Sequence, residues 1–233
     1  MQLVHNIKEA LLHLVFPHLC AACGSDAVPQ SHPLCLYCLE ALPQTHFHQH
    51  AGNPIEKIFT GRLPLQHATA QYYFTKESGL QHLLHQAKYK GANELCRYLG
   101  QLMGQQLAQS SWIKDIDALV PLPLYAVREK KRGYNQSHLI CQGIADVLNL
   151  PVLNDVIVRR TATESQTRKN RVARWQNLEG VFNLTNNTKT EGKHILLVDD
   201  VVTTGATLER CGRTLLQVPG TQLSIAALCF SAT

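Results

Sequence analysis

Apolar positions change their period several times along this chain, and the changes divide it. Residues 3–16 place Leu3, Ile7, Leu11, Leu14 and Val15 at helical spacing and end at Pro17, predicting a short amphipathic helix that docks on the module behind it. Turn residues and paired cysteines break the pattern over 20–43. The stretch 45–64 has weak periodicity interrupted by His, Gly and Pro, so it reads as a linker at a domain boundary. A strand is predicted over 68–74, then helices over 77–88 and 93–108, separated by a Lys90-Gly91 stop. Beyond them, strand-like runs at 116–122, 156–158, 194–198 and 223–230 alternate with helical runs at 137–148 and 207–217. That alternation is how βα units of a parallel sheet are written. The division is therefore an N-terminal module at 1–44, a linker at 45–64 and an α/β domain at 65–233, with no internal repeat.

Composition narrows the class. Hydrophobic residues make up 45% and charged residues 17% of the chain, enough apolar content to bury a core. No run of about 18 apolar residues is present, and the Leu11–Phe16 patch follows Lys8 and Glu9 rather than a cationic leader. The expectation is a cytoplasmic protein without membrane insertion. In that reducing setting, eight cysteines point to metal binding and buried thiols rather than a disulfide framework.

Cys20-Ala-Ala-Cys23 and Cys35-Leu-Tyr-Cys38 are two CxxC knuckles with eleven residues between them, a spacing that lets four thiolates surround one tetrahedral zinc. Four protein ligands leave no open position for water, so the metal's role is structural. A redox-active CxxC would sit in a thioredoxin-like βαβ context, which is missing here. His18 and His32 are alternative ligands. His46, His48 and His50 offer a second metal or, more simply, a solvated polar stretch. Cys96, Cys141, Cys211 and Cys229 fall in apolar patterns and read as inert buried thiols.

The net charge of +5 conceals an uneven distribution. Residues 128–174 carry ten Lys/Arg against four acids, a net +6, while the remainder sums to −1. Such an excess calls for an anionic partner, a phosphate or a nucleic-acid backbone, or else is a solvated basic face. Residues 194–207, HILLVDDVVTTGAT, supply a matching device: an apolar strand, two acids at its carboxyl end, a Thr/Gly loop and a helix starting near Ala206. The loop presents backbone N–H groups and hydroxyls at a helix N-terminus, which favours phosphate. Asp199 and Asp200 would repel that phosphate at close range, so their partners are hydroxyls or a magnesium shell. A sugar phosphate satisfies both halves. The Walker lysine and the GxGxxG pattern are both absent.

Leu197 to Thr207 resembles the 5-phosphoribosyl 1-pyrophosphate (PRPP) loop of the type I phosphoribosyltransferases. More closely, the chain resembles the ComF competence family, with its ComFC and GntX-like members. The likeness rests on the two CxxC knuckles, Lys88-Tyr89-Lys90-Gly91, Val120-Pro-Leu-Pro123 with Arg132-Gly-Tyr-Asn-Gln136, and 166–182 with Arg174, Asn177, Gly180 and Phe182. Arg168, Lys169 and Asn170 stand where relatives commonly have Gly-Leu-Ser, making this segment more basic.

The resemblance implies a type I phosphoribosyltransferase-like α/β fold, a Rossmann-like parallel sheet flanked by helices, preceded by the small four-cysteine zinc module. It assigns Asp199 and Asp200 to the ribose hydroxyls as the candidate catalytic pair, and Thr203, Thr204, Gly205, Ala206 and Thr207 to the 5′-phosphate. It makes Leu122 and Pro123 part of the pyrophosphate loop, with Lys88 a further contact, and brings magnesium with PRPP. The basic residues Arg128, Lys130, Lys131 and Arg132 of the loop after Pro123, and Arg168, Lys169, Arg171 and Arg174 of a flap expected over 159–180, are candidates for contacts to pyrophosphate or DNA. By resemblance the protein is a competence factor handling single-stranded DNA in natural transformation, with a competence helicase or another DNA-uptake protein as candidate partner. Transfer of the phosphoribosyl group to an unidentified acceptor is the other activity implied, and a bare phosphate-binding α/β domain is the minimal one.

Overall fold

In the computed structural model, which describes residues 18–29, 32–75, 79–87, 93–160 and 181–231, the longest apolar runs form the centre of a four-stranded parallel sheet. Ahead of the sheet, the second cysteine knuckle runs into a short helix, α1 (Leu36–Glu40). Strands β1 (Ala68–Tyr73), β2 (Ala118–Pro121), β5 (His194–Val202) and β6 (Gln222–Phe230) lie in the order β1-β6-β5-β2. β5 and β6 are buried along nearly their whole length, as strands covered on both faces must be. Pro121, which has no N–H to give, sits at the end of β2, whose outer side meets, among the described residues, an isolated bridge from Val152.

Two apolar layers cover the sheet. On one face pack α4 (Asn93–Leu107) and α6 (Gln136–Leu148), with Leu99, Met103, Ile140 and Ile144 in one cluster with Leu196 and Val198. These helices approach so closely that a Cβ on Gly143 would lie 2.0 Å from the Arg97 carbonyl oxygen and one on Gly100 2.3 Å from that of Ile140. Arg97 and Asp146 then bridge them through two 2.7 Å hydrogen bonds. On the other face lie α2 (Pro54–Phe59) and α7 (Ala206–Leu215), with Ile55, Phe59, Leu208 and Leu215 in the core.

Residues 45–64 depart from the linker expectation. Asn53 caps α2 by accepting from Ile55 N and Glu56 N, and its amide donates to the Ala68 carbonyl, while Phe47, Ile55, Phe59 and Leu63 are buried under the sheet. Their apolar spacing spans too short a helix to stand out as a period. The run at 156–158 also differs from expectation. It leads into β3 (Ile157–Arg159), which leaves the parallel sheet and pairs antiparallel with β4 (Phe182–Leu184). α3 (Gly79–Gln86) matches the helix predicted after β1, while the helix predicted over 3–16 lies outside the described residues.

Candidate functional site

Strand β5 extends past the two acids to Val202, and both acids line one cleft at its carboxyl end. Asp199 is buried. Its Oδ1 accepts from the Asp200 N–H at 2.8 Å and from Ser137 Oγ at 3.2 Å. Burial, and next the charge of Asp200, hold the Asp199 carboxyl well above the usual carboxylate range, against the opposing pull of those hydrogen bonds. Asn135 fixes this corner: its amide donates to the Leu122 carbonyl at 3.0 Å and its Oδ1 accepts from Ser137 N at 3.1 Å, capping α6.

The phosphate-type loop follows at once. Gly205 takes φ 71° and caps α7 without a side chain, leaving the first-turn amides uncapped. A Cβ there would meet the Phe59 ring at 2.8 Å, so glycine is required on two counts. Arg62, from the segment expected to be a linker, clamps the loop from behind. It donates to the Thr204 carbonyl at 2.9 Å and to Glu209 Oε2 at 3.0 and 2.5 Å, while Arg213 joins Glu209 from the next turn of α7.

The cleft that holds the acids is also lined by cations. Arg128 and Arg132 come from α5 (Ala126–Arg132), and Arg159 from β3; with Leu122, Pro123, Leu124, Asn135, Gln136, Ser137, Asp199, Asp200 and Thr207 they enclose a cleft of about 240 Å³. Arg132 donates to Gln136 Oε1 at 2.6 Å. The Arg159 guanidinium lies 3.9 Å from the Tyr125 ring centre and 5.4 Å from that of Phe182, with its Nε buried and without a hydrogen-bond partner. Among the described residues no carboxylate forms an ion pair with these three arginines.

Of the residues named from sequence, Leu122, Pro123, Arg128, Arg132, Asp199, Asp200 and Thr207 meet in this cleft. Thr203 and Thr204 are exposed in the loop, Gly205 and Ala206 start α7, and Lys130 and Lys131 project from α5 outside the cleft. Lys88, Arg168, Lys169, Arg171 and Arg174 lie outside the described residues. In the sequence Arg159 is only one of the ten basic residues within 128–174. Ser137 carried no signal in the sequence, since its partner is 62 positions away.

The cysteine module is a separate centre. The four Sγ atoms of Cys20, Cys23, Cys35 and Cys38 lie within 4.8 Å of one another, and those of Cys23 and Cys35 are 3.8 Å apart. A Zn–S bond of about 2.3 Å sets tetrahedral edges of about 3.8 Å, so the donor set fits that ion. Burial pushes the Cys20 thiol up, but hydrogen bonds from the amides of Cys35, Cys23 and Ala22 and from the Cys23 side chain outweigh it and bring it down to about 6. His18 turns instead to the His32 carbonyl, at 2.8 Å. The 46–50 histidines form no metal group among the described residues, and His48 departs from a solvated reading: it is buried, with Nε2 unpartnered. Cys96, Cys141, Cys211 and Cys229 are buried, and burial pushes all four thiols up, Cys96 to about 12.

A parallel sheet with acids and a glycine-turned loop at one strand's carboxyl end defines a protein of the phosphoribosyltransferase-like class, and the family model described as "Phosphoribosyl transferase domain" matches residues 135–233. The chain is 31% identical over 214 residues to the DNA utilization protein YhgH of Salmonella typhimurium, covering 91% of this chain and 89% of that one. It is 28% identical to Competence protein F of Haemophilus influenzae, covering 88% and 86%. With Competence protein ComFC of Bacillus subtilis it shares 41% identity over 99 residues, 42% of this chain and 38% of that one. The chain thus belongs to the ComF/ComFC family of competence and DNA-utilization proteins. Among solved structures, an allosteric regulatory enzyme of purine biosynthesis aligns with 57% of this chain and 25% of its own, at 18% identity and a TM-score of 0.42. Adenine phosphoribosyltransferase from Leishmania donovani aligns with 78% and 82%, at 11% identity and a TM-score of 0.36.

Proposed function

We propose that the cleft binds PRPP and that the protein is a cytoplasmic competence factor using this ligand while assisting the uptake of single-stranded DNA. The reading is carried by one cleft lined both by the acids Asp199 and Asp200 and by the cations Arg128, Arg132 and Arg159. A ligand with vicinal hydroxyls at one end and a diphosphate at the other satisfies both, whereas a simple anion leaves the acids without a partner. Thr203, Thr204 and Thr207 and the uncapped amides of α7 take the 5′-phosphate. Carboxylate oxygens suit magnesium, which commonly binds through one or two carboxylates plus ligand phosphates, and here it would offset the diphosphate's charge. In the cysteine centre, zinc holds the two knuckles together and has a structural role.

The same geometry supports phosphoribosyl transfer as a second reading. In this reading the arginines lining the cleft would offset the charge that accumulates on a departing pyrophosphate, and the acids would steady a ribosyl cation through its hydroxyls. Calorimetry with PRPP and magnesium tests the site: wild type binds with about one ligand per chain, and Asp199→Ala with Asp200→Ala abolishes the heat. Unchanged binding by the double variant would end the ribose assignment. Pyrophosphate release across a panel of bases and amines separates the readings, since a pure ligand role gives none.

A further inference from the structure

Helix α5 has no buried residue, and Val127 on it is 68% exposed. Packing therefore does not explain the helix, which holds four cations within one and a half turns. Arg128 and Arg132 reach the cleft; Lys130 and Lys131 face solvent. Tyr125, at its N-cap, has the Arg128 guanidinium 5.8 Å and the Arg159 guanidinium 3.9 Å from its ring centre. Like charges gathered around one ring repel each other until an anion separates them. The rim and the cleft are thus one cationic surface, and its arginines belong to both parts.

We propose that this arginine wall is shared, so that a single strand of nucleic acid laid over α5 and PRPP in the cleft exclude one another. The inference rests on the PRPP reading and adds to it that the small ligand controls access of the strand. Lys130 and Lys131 steer the backbone along the helix, while a phosphate dips into the cleft and takes Arg128, Arg132 and the Arg159 guanidinium, all of which line it. Reaching a recess of about 240 Å³ needs a backbone free to bend, which a single strand has and a duplex lacks. A pyrophosphate in the same recess removes those donors from the strand.

Fluorescence anisotropy of a labelled 20-nucleotide oligo-dT with the full chain, magnesium and increasing PRPP tests this, with calorimetry of PRPP alone alongside. The expected result is an apparent oligonucleotide Kd rising linearly with PRPP, by about tenfold at nine times the calorimetric PRPP Kd. Sodium sulfate at matched ionic strength leaves it nearly unchanged. Arg128→Gln with Arg132→Gln weakens both ligands; Lys130→Gln with Lys131→Gln weakens only the oligonucleotide. Normal PRPP binding with an oligonucleotide Kd that ignores PRPP overturns the shared wall and leaves the PRPP reading intact. Equal displacement by sulfate, or no oligonucleotide binding, also overturns it. Absence of PRPP heat removes the PRPP reading itself, and the inference with it.

Discussion

The cysteine centre and the acidic cleft are built by opposite means. Four sulfurs converge from two knuckles separated by eleven residues, with Gly24 at φ 72° and a Gly24 N–H to Cys20 carbonyl bond of 2.8 Å closing the first turn. The cleft draws its walls from the segment after β2 and from α5, α6, β3, β5 and α7, and its decisive contact, Ser137 to Asp199, joins helix and strand far apart in the chain. The first is a local device with the donor set to hold one metal ion; the second exists only when the whole sheet has formed. Damage should therefore spread differently from the two.

The largest effect is expected at the metal. Cys35→Ser should eliminate stoichiometric zinc and cost about 4 kcal/mol, roughly 8–16 °C in a chain of this size, as measured by metal analysis and thermal melting. Because no cysteine of the centre lines the cleft, PRPP affinity at 15 °C should stay within about twofold. A parallel collapse of binding would show that the two regions are one cooperative unit. Next comes Arg62→Met, which removes the donors to the Thr204 carbonyl and Glu209. Partial exposure limits the loss to about 1–2 kcal/mol, with PRPP affinity falling roughly tenfold. Arg62→Lys should recover part of the affinity, and no loss of affinity would mean the loop holds its own shape.

Asp199→Asn works in the other direction. Since burial raises this carboxyl's folded pKa, the folded state favours the protonated acid, and stability declines as pH rises from the unfolded value of about 3.9 through the raised one. The asparagine variant should be more stable at pH 7 by about 0.5–2 kcal/mol while losing PRPP, with the gain disappearing near pH 4. A variant less stable at pH 7 would show that Asp199 is needed as an anion for folding. The smallest effect concerns His48 and His194, whose pKa values are lowered by burial and next by neighbouring histidines. Their contribution is complete above about pH 6.5 and is lost as pH falls through their depressed values. His48→Gln should flatten the fall in melting temperature between pH 6.5 and 5; an unchanged slope would assign it to other groups.

Much of this was legible in the linear chain. Periodicity gave the order of β1, α4, β2, α6, β5, α7 and β6 to within a few residues, because long runs covered on both faces carry a strong apolar signal. The run at 156–158 misled because three apolar residues say nothing of which partner a strand will take. Residues 45–64 misled for a related reason: α2 spans six residues, and Asn53 and Arg62 are polar positions whose long-range partners, Ala68 and Glu209, lie 15 and 147 positions away.

What the amino-acid order determined by itself was whatever depends on neighbours: the knuckles, the acid pair ahead of a glycine turn, the alternating strands and helices, and the concentration of basic charge. Only the tertiary structure decided which cations share a cleft with the acids. Arg128, Arg132 and Arg159 line it, while Lys130 and Lys131, one or two positions from Arg128 or Arg132, do not. A helix turns each successive side chain by about 100°, so adjacent residues of like charge receive different surroundings once α5 is set beside the sheet.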